Sequence, residues 1–313
     1  MNSKIIRNGM VLLIFFFLYR ISFSQESDTT AAGVPEEKPA KDKRPVKDAF
    51  GSNWIINNQT MVVPTPHTME FDINHRFGEL KNGIKDMYGL YAPSNIRLGL
   101  SFTPIKNLQI GAGMTKAQMM YDFNLKWNPL QQTRSGSFPV FITYLGNMVI
   151  EGSENTVNWT IKDLSGNDSI VNKRYPKYTD RISYLNEIII GRKITKQFSL
   201  QVAGSYMHYN LIDTVGNNKL LHDNMSVTAA GRVKFYGEMA AVFEYTHPLT
   251  PATNVKPNFA LGFEATTSAH AFQLFISPFT NIIKQRDVMY NSKDPKFISD
   301  YAIGFNVTRL WNF

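Results

Sequence analysis

Along most of the chain, apolar and polar side chains alternate one for one in stretches of about ten residues, the length a tilted strand needs to cross a bilayer. Period-two alternation sends successive side chains to opposite faces of a strand. In 68–77, Met69, Phe71 and Ile73 share one face, and Glu70, Asp72, Asn74 and Arg76 share the other. The same spacing predicts strands over 95–103, 107–115, 119–127, 138–146, 181–190, 197–206, 225–235, 239–245, 259–265, 271–276 and 299–311. That is about twelve, an even number, as bacterial single-chain barrels have. The expected fold class is therefore all-β, a closed antiparallel transmembrane β-barrel over 53–313.

Connection lengths bear on this independently. Barrels of this kind have short turns at the periplasmic end, where both termini lie, and long loops outside. The links at 78–94, 147–180, 207–224, 246–258 and 277–298 are long and follow odd-numbered strands. The links through Pro104 to Lys106, at 192–196, at 236–238 and at 267–270 are short and follow even-numbered ones. Two links depart from the rule: 116–118 is short and 128–137 is long.

Both ends carry export and assembly features. Lys4 and Arg7 precede an apolar run from Met10 to Tyr19, then Ser22-Phe-Ser-Gln25, the order of a secretory signal, with cleavage expected after Ser24. The run is well short of the roughly 20 residues a membrane-spanning helix needs. No later segment approaches 18 uninterrupted apolar residues, so strands are left as the means of crossing. Residues 25–52, rich in Glu, Lys, Pro, Asp and Thr up to about Val46, are expected to form a disordered periplasmic linker. At the other end Phe313 is preceded by Trp311, Val307, Phe305, Ile303 and Tyr301, the alternating aromatic and apolar finish read by the barrel-assembly machinery, interrupted by Arg309.

The block Met69-Glu-Phe-Asp-Ile-Asn-His-Arg-Phe-Gly78, with Asn95-Ile-Arg-Leu-Gly-Leu100 and Tyr121-Asp-Phe-Asn-Leu-Lys-Trp127, resembles an uncharacterised outer-membrane β-barrel family of Bacteroidota-type bacteria. In that family the matching stretches read His-Arg-Phe-Gly, Ile-Arg-Leu-Gly and Tyr-Asp-Gly-X-Leu-Lys-Tyr. Here Phe123 stands for the Gly and Trp127 for the last aromatic. The likeness is close over the first third of the mature chain. It implies location and fold and supplies no activity, the family being a domain of unknown function.

Parity places Glu70, Asp72, Asp122, Glu187, Glu244 and Glu264 inside the barrel with Arg76, Arg97, Lys126, Arg181, Arg232 and Lys234. Two uses fit this mixture. One is an ion-pair network that braces the wall, since buried charges are costly unless paired. The other is a polar pathway for small solutes with weak charge selectivity. Asp72, Arg76 and Arg97 are expected to meet near the outer mouth.

A lipid-facing hydrolase is the alternative class, and it needs a nucleophile and base within hydrogen-bond reach. His208 is placed outward and Ser205 inward by parity, and His75 has no outward Ser beside it. Both His fit an aromatic belt with Tyr184, Tyr206, Tyr209 and Tyr245. No catalytic residue is assigned. The chain has no Cys, no His-rich tract and no calcium-loop spacing, so no metal site is assigned either. Gly111-Ala-Gly113 lies within a strand, where small residues let inward side chains pack, and no cofactor is implied. Removing Lys4, Arg7 and Arg20 with the signal leaves 30 basic against 25 acidic residues, an excess too mild for nucleic acid. The expected partners are outer-membrane lipids, the assembly machinery and, where the lumen is open, a small polar solute.

Overall fold

The computed structural model describes residues 42–154, 156–162, 168–212, 214–215, 218–250, 255–291 and 293–313. The expected signal peptide and residues 25–41 of the expected linker lie outside them. Twelve antiparallel strands close into one barrel. In chain order they are β1 (Thr68–Glu79), β2 (Asn95–Ile105), β3 (Leu108–Thr115), β4 (Met120–Leu130), β5 (Phe141–Glu151) and β6 (Ile182–Lys193). They continue as β7 (Phe198–Tyr209), β8 (Asp223–Tyr236), β9 (Met239–Pro248), β10 (Asn258–Thr266), β11 (His270–Ser277) and β12 (Ala302–Asn312). Closure is made by β12 on β1, from Ala302 opposite Glu79 to Asn312 opposite Thr68. Both ends of the barrel sequence therefore lie at one rim, called here the terminal end.

The faces follow the alternation. Leu100, Ile110, Phe123, Leu125, Val202, Leu261, Phe263 and Leu274 are exposed on the outer wall. Arg76, Arg97 and Lys126 are wholly buried inside. A water-soluble protein inverts this arrangement. Among the described residues no helix is long and apolar enough to cross a membrane.

Three differences from the sequence expectation bear on the turns and the lumen. The turn after β2 is Lys106-Asn107, with Asn107 at φ 67, and Pro104 lies inside β2 at a register irregularity, where a missing N–H is tolerated. β5 runs from Phe141 to Glu151 rather than over 138–146. Ahead of it, 131–140 pairs with the incoming N-terminal chain: Val46 N–H donates to Gln132 O, Arg134 N–H to Arg44 O, and Ser135 N–H to Asp42 O. This use explains why that link is long at an end of short turns. The short link before β4 is a genuine tight connection, a single 3-10 turn over Ala117–Met119.

The third difference concerns the tail. The boundary drawn at 52 falls inside an ordered segment: Ala49 and Phe50 are buried, and the chain then makes a hairpin of Trp54–Ile55 against Asn58–Gln59 within the lumen. Trp54, Ile55, Ile56 and Met61 are too apolar to remain in water when a lumen wall lies beside them. Chymotrypsin treatment of the refolded barrel should accordingly leave the bonds after Phe50 and Trp54 intact, as read by mass spectrometry. Rapid cleavage at both, as a free tail would show, contradicts this placement.

Candidate functional site

Inside the barrel the wall has two characters. On β7 to β10 several inward residues near the hairpin are small and apolar, with Ala203, Ala230, Ala240, Val242 and Ala260 all buried. They make room for Ile55, Ile56 and Met61, which share one apolar cluster with Ala203, Ala230, Val242, Ala260, Phe141, Phe275 and Phe279. On β1, β2 and β4 the inward residues are charged. There Arg97 binds two carboxylates, donating from Nη1 to Asp72 and from Nε and Nη2 to Asp122 at 2.8 Å. Its guanidinium also lies 5.1 Å from the Trp54 ring centroid. Gly99 and Gly113 are required beside this triad, because a Cβ at either would collide with Arg97 and with Asp72 or Asp122.

Other wall charges are met by the hairpin itself. Asn53 donates to Glu70 and accepts from Lys126 at 3.4 Å, and Lys126 also donates to Gln59 at 3.0 Å. Asn57 N–H donates to Glu244 at 2.8 Å, and Arg76 donates to Ile56 O at 3.0 Å and Asn57 Oδ1 at 3.2 Å. Arg76 thus serves the hairpin, Asn306 and the Phe275 ring, and does not join Asp72 and Arg97 as expected.

The far end is closed by a different segment. Residues 278–291 fold inward and carry a short helix α1 (Lys284–Tyr290), every residue of which is buried. A seven-residue helix has little stability alone and depends on such packing. Lys284 pairs with Glu187 and donates to Thr228 at 3.1 Å. Gln285 donates to Asn147 at 2.8 Å, and Asp287 accepts from Asn258 at 2.6 Å. Burial pushes the Asp287 carboxyl well above the usual carboxylate range, with Glu244 adding to the rise and Arg76 opposing it. Between hairpin and loop the cavity is about 40 Å³, lined by Trp54, Asn57, Arg97, Asp122, Glu187 and Lys284 among others. That is room for about three waters. A wider recess of about 450 Å³ opens at the terminal end, beside Phe50, Ser52, Glu70 and Arg232.

The family model that matches residues 50–311 is described as a membrane-bound beta barrel domain, DUF5777. The chain belongs to this family. The match spans the hairpin as well as the strands, so the lumen segment lies within the DUF5777 domain. None of the curated proteins matches the chain. Among solved structures it is similar to the NanC porin, at 6% identity and TM-score 0.46, over 78% of this chain and 99% of that one. It is also similar to an outer-membrane channel from Pseudomonas putida F1, at 10% identity and TM-score 0.45, over 80% of this chain and 97% of that one. LpxR from Salmonella typhimurium is similar at 10% identity and TM-score 0.33, over 79% and 100% of the two chains. These similarities are too low to transfer any function.

The structure places the remaining sequence candidates as follows. Arg232 donates from Nε to Glu264 at 2.5 Å, with both buried. Lys234 is not in the lumen network: it reaches Glu238 at the terminal rim at 2.9 Å. Arg181 donates to the carbonyls of Glu151 and Ser153 at the far rim. Among the sequence candidates, with Lys234 paired at the rim, six wall acids, Glu70, Asp72, Asp122, Glu187, Glu244 and Glu264, face Arg76, Arg97, Lys126 and Arg232. Lys284 of the loop compensates in part. Of the C-terminal series, Tyr301, Ile303, Phe305, Val307 and Trp311 are partly exposed, Phe313 is fully exposed, and Arg309 stacks 4.8 Å from the Trp311 ring centroid.

Ser205 donates inward to Glu187 at 2.5 Å, whereas His208 lies on the outer face with its Nδ1 2.7 Å from Asp223. The pair needed for nucleophilic catalysis is thus on opposite faces. His75 stacks on Phe305 at 5.0 Å. Tyr209 is no belt residue: it is buried, edge-on to Tyr290 of α1. Among the described residues no three His, Asp or Glu are grouped to hold a metal ion.

Sequence reasoning missed the two lumen segments, 49–62 and 278–291. The available signals were the Trp-Ile-Ile triplet in an otherwise polar stretch and the run of small inward residues on β7 to β10, which need something to fill against. Replacing Arg97 with Ala leaves Asp72 and Asp122 facing each other, buried and unpaired, at a cost of about 3–5 kcal/mol. Heat-modifiability on gels should therefore shift to much lower temperature for Arg97→Ala than for the lipid-facing Leu98→Ala. Equal shifts would refute the inside and outside assignment.

Proposed function

We propose that the protein is a porin-like barrel of the bacterial outer membrane, with both termini in the periplasm, whose lumen rests closed and passes small polar solutes when the inner segments move. The observation that carries this is the nature of the filling. Beside the apolar contacts of Ile55, Ile56, Met61 and Val288, the hairpin and α1 meet the wall through hydrogen bonds of Asn53, Gln59, Lys284 and Gln285. A permanent brace gains most from apolar packing, while polar contacts exchange readily for water and solute.

Lipids of the outer leaflet and periplasmic leaflet would cover the exposed Leu, Phe and Tyr side chains, and the aromatic finish at Phe313 fits recognition by the assembly machinery. Enzymatic activity has no support from the side-chain geometry, with Ser205 and His208 on opposite faces. A hydrolase acting on phospholipid is the second class to assay.

Ile56 stands at φ 53, a left-handed conformation that a β-branched residue adopts only under constraint and that proline cannot reach. Ile56→Pro should unseat the hairpin. In planar bilayers the refolded mature wild type should be nearly silent. The variant should give steady openings with a modest preference for cations, set by the acidic wall, and liposomes carrying it should swell in small sugars. A folded variant as silent as the wild type, with no swelling, would overturn the channel in favour of a structural role, and turnover of phospholipid would favour the hydrolase.

A further inference from the structure

Besides its side-chain contacts, the hairpin is bonded to the wall at several points of its main chain. Gln273 on β11 accepts from Ile56 N–H at 3.2 Å and donates to Trp54 O at 2.7 Å. Gln201 on β7 does the same one hairpin arm later, accepting from Met61 N–H and donating to Gln59 O, each at 2.9 Å. Both glutamines thus clasp the N–H of one residue and the carbonyl two residues before it, the two groups that point the same way from an extended strand.

The remaining main-chain groups are met in the same manner. Ile56 O accepts from Arg76 at 3.0 Å and Asn306 at 2.7 Å, and Asn57 N–H donates to Glu244 at 2.8 Å. Met61 O accepts from Asn128 and from Thr143, each at 2.7 Å. The partners come from strands all round the barrel and are themselves buried. Peptide groups are common to every sequence, so contacts of this kind select the course of a hairpin backbone rather than particular side chains. Selectivity for side chains comes from the small wall residues Ala203, Ala230 and Ala260, which leave space for bulky apolar groups.

We infer that the lumen is a binding site for an extended, hairpin-forming polypeptide with bulky apolar side chains, occupied here by residues 52–61 of the chain itself. The tethered segment acts as an intramolecular ligand. A second peptide entering from the terminal end competes with it against an effective concentration in the millimolar range. The site depends on the geometry of the hairpin and not on conduction.

The test uses the full mature chain bearing Ile56→Pro and Met61→Pro, which removes both N–H donors to the glutamines and leaves the wall intact. Folding is checked by heat-modifiability, and release of the segment by chymotrypsin cleavage after Phe50 and Trp54. A fluorescein-labelled synthetic peptide of residues 50–63 is titrated against it and followed by anisotropy. Saturable binding is expected, about tenfold or more tighter than to the wild type, and weakened about tenfold or more when the peptide is N-methylated at the positions of Ile56 and Met61. A Gln201→Ala, Gln273→Ala chain should release its own segment and fail to bind the peptide. The inference is overturned if the folded proline variant keeps its segment protected, if the released barrel shows no saturable binding, or if methylated and plain peptides bind alike. None of these readouts requires the barrel to conduct, so a silent barrel that binds peptide counts against the channel and not against the site.

Discussion

A sheet that closes in a membrane turns its polar face inward, and where the lumen is filled and water excluded every charge on that face must find a partner there. In this barrel the wall satisfies only part of that demand. Asp72, Arg97 and Asp122 complete one another, as do Arg232 and Glu264. Glu70, Lys126, Arg76, Glu244 and Glu187 instead reach residues brought in from outside the sheet. The hairpin and α1 are consequences of that shortfall as much as causes of closure.

The same demand acts on the hairpin. Once its apolar side chains are packed against Ala203, Ala230 and Ala260, its peptide groups leave water and need replacements, and an unpaired buried peptide group costs a large part of a hydrogen bond. The inward Gln, Asn and Thr side chains supply them. Docking of the segment and polarity of the wall are therefore one arrangement seen from two sides. The pairing of 42–46 with the long link before β5 feeds the chain into the lumen at the terminal end.

The strand count and the two faces were legible from residues 68–311 because period-two alternation is imposed by lipid on one side and polar groups on the other. Twelve strands were expected and twelve close the barrel. Which inward charges meet was only partly legible. Asp72 and Arg97 are cross-strand neighbours and could be paired from register, but Arg76 turns to Ile56 O, a partner more than one strand away in no pattern the sequence displays. The hairpin is too short to show a period, and Lys284-Gln-Arg-Asp287 reads as a solvated loop until tertiary contacts bury it. Lys234 keeps the inward parity but lies at the terminal rim, where its partner is Glu238 rather than a wall carboxylate.

The closure of the barrel and the clasp of its glutamines both depend on residues of the N-terminal segment sitting inside the lumen. Ser52 Oγ lies 2.9 Å from Thr308 Oγ1 of β12, and the chain has no native Cys, so Ser52→Cys with Thr308→Cys makes an unambiguous probe. Those side chains are near enough for a disulfide to form with little movement. Oxidation of the refolded double variant should cross-link it nearly completely, seen as a mobility change on non-reducing gels and a linked peptide by mass spectrometry. A folded variant whose two thiols stay free and react independently with maleimide would contradict the account.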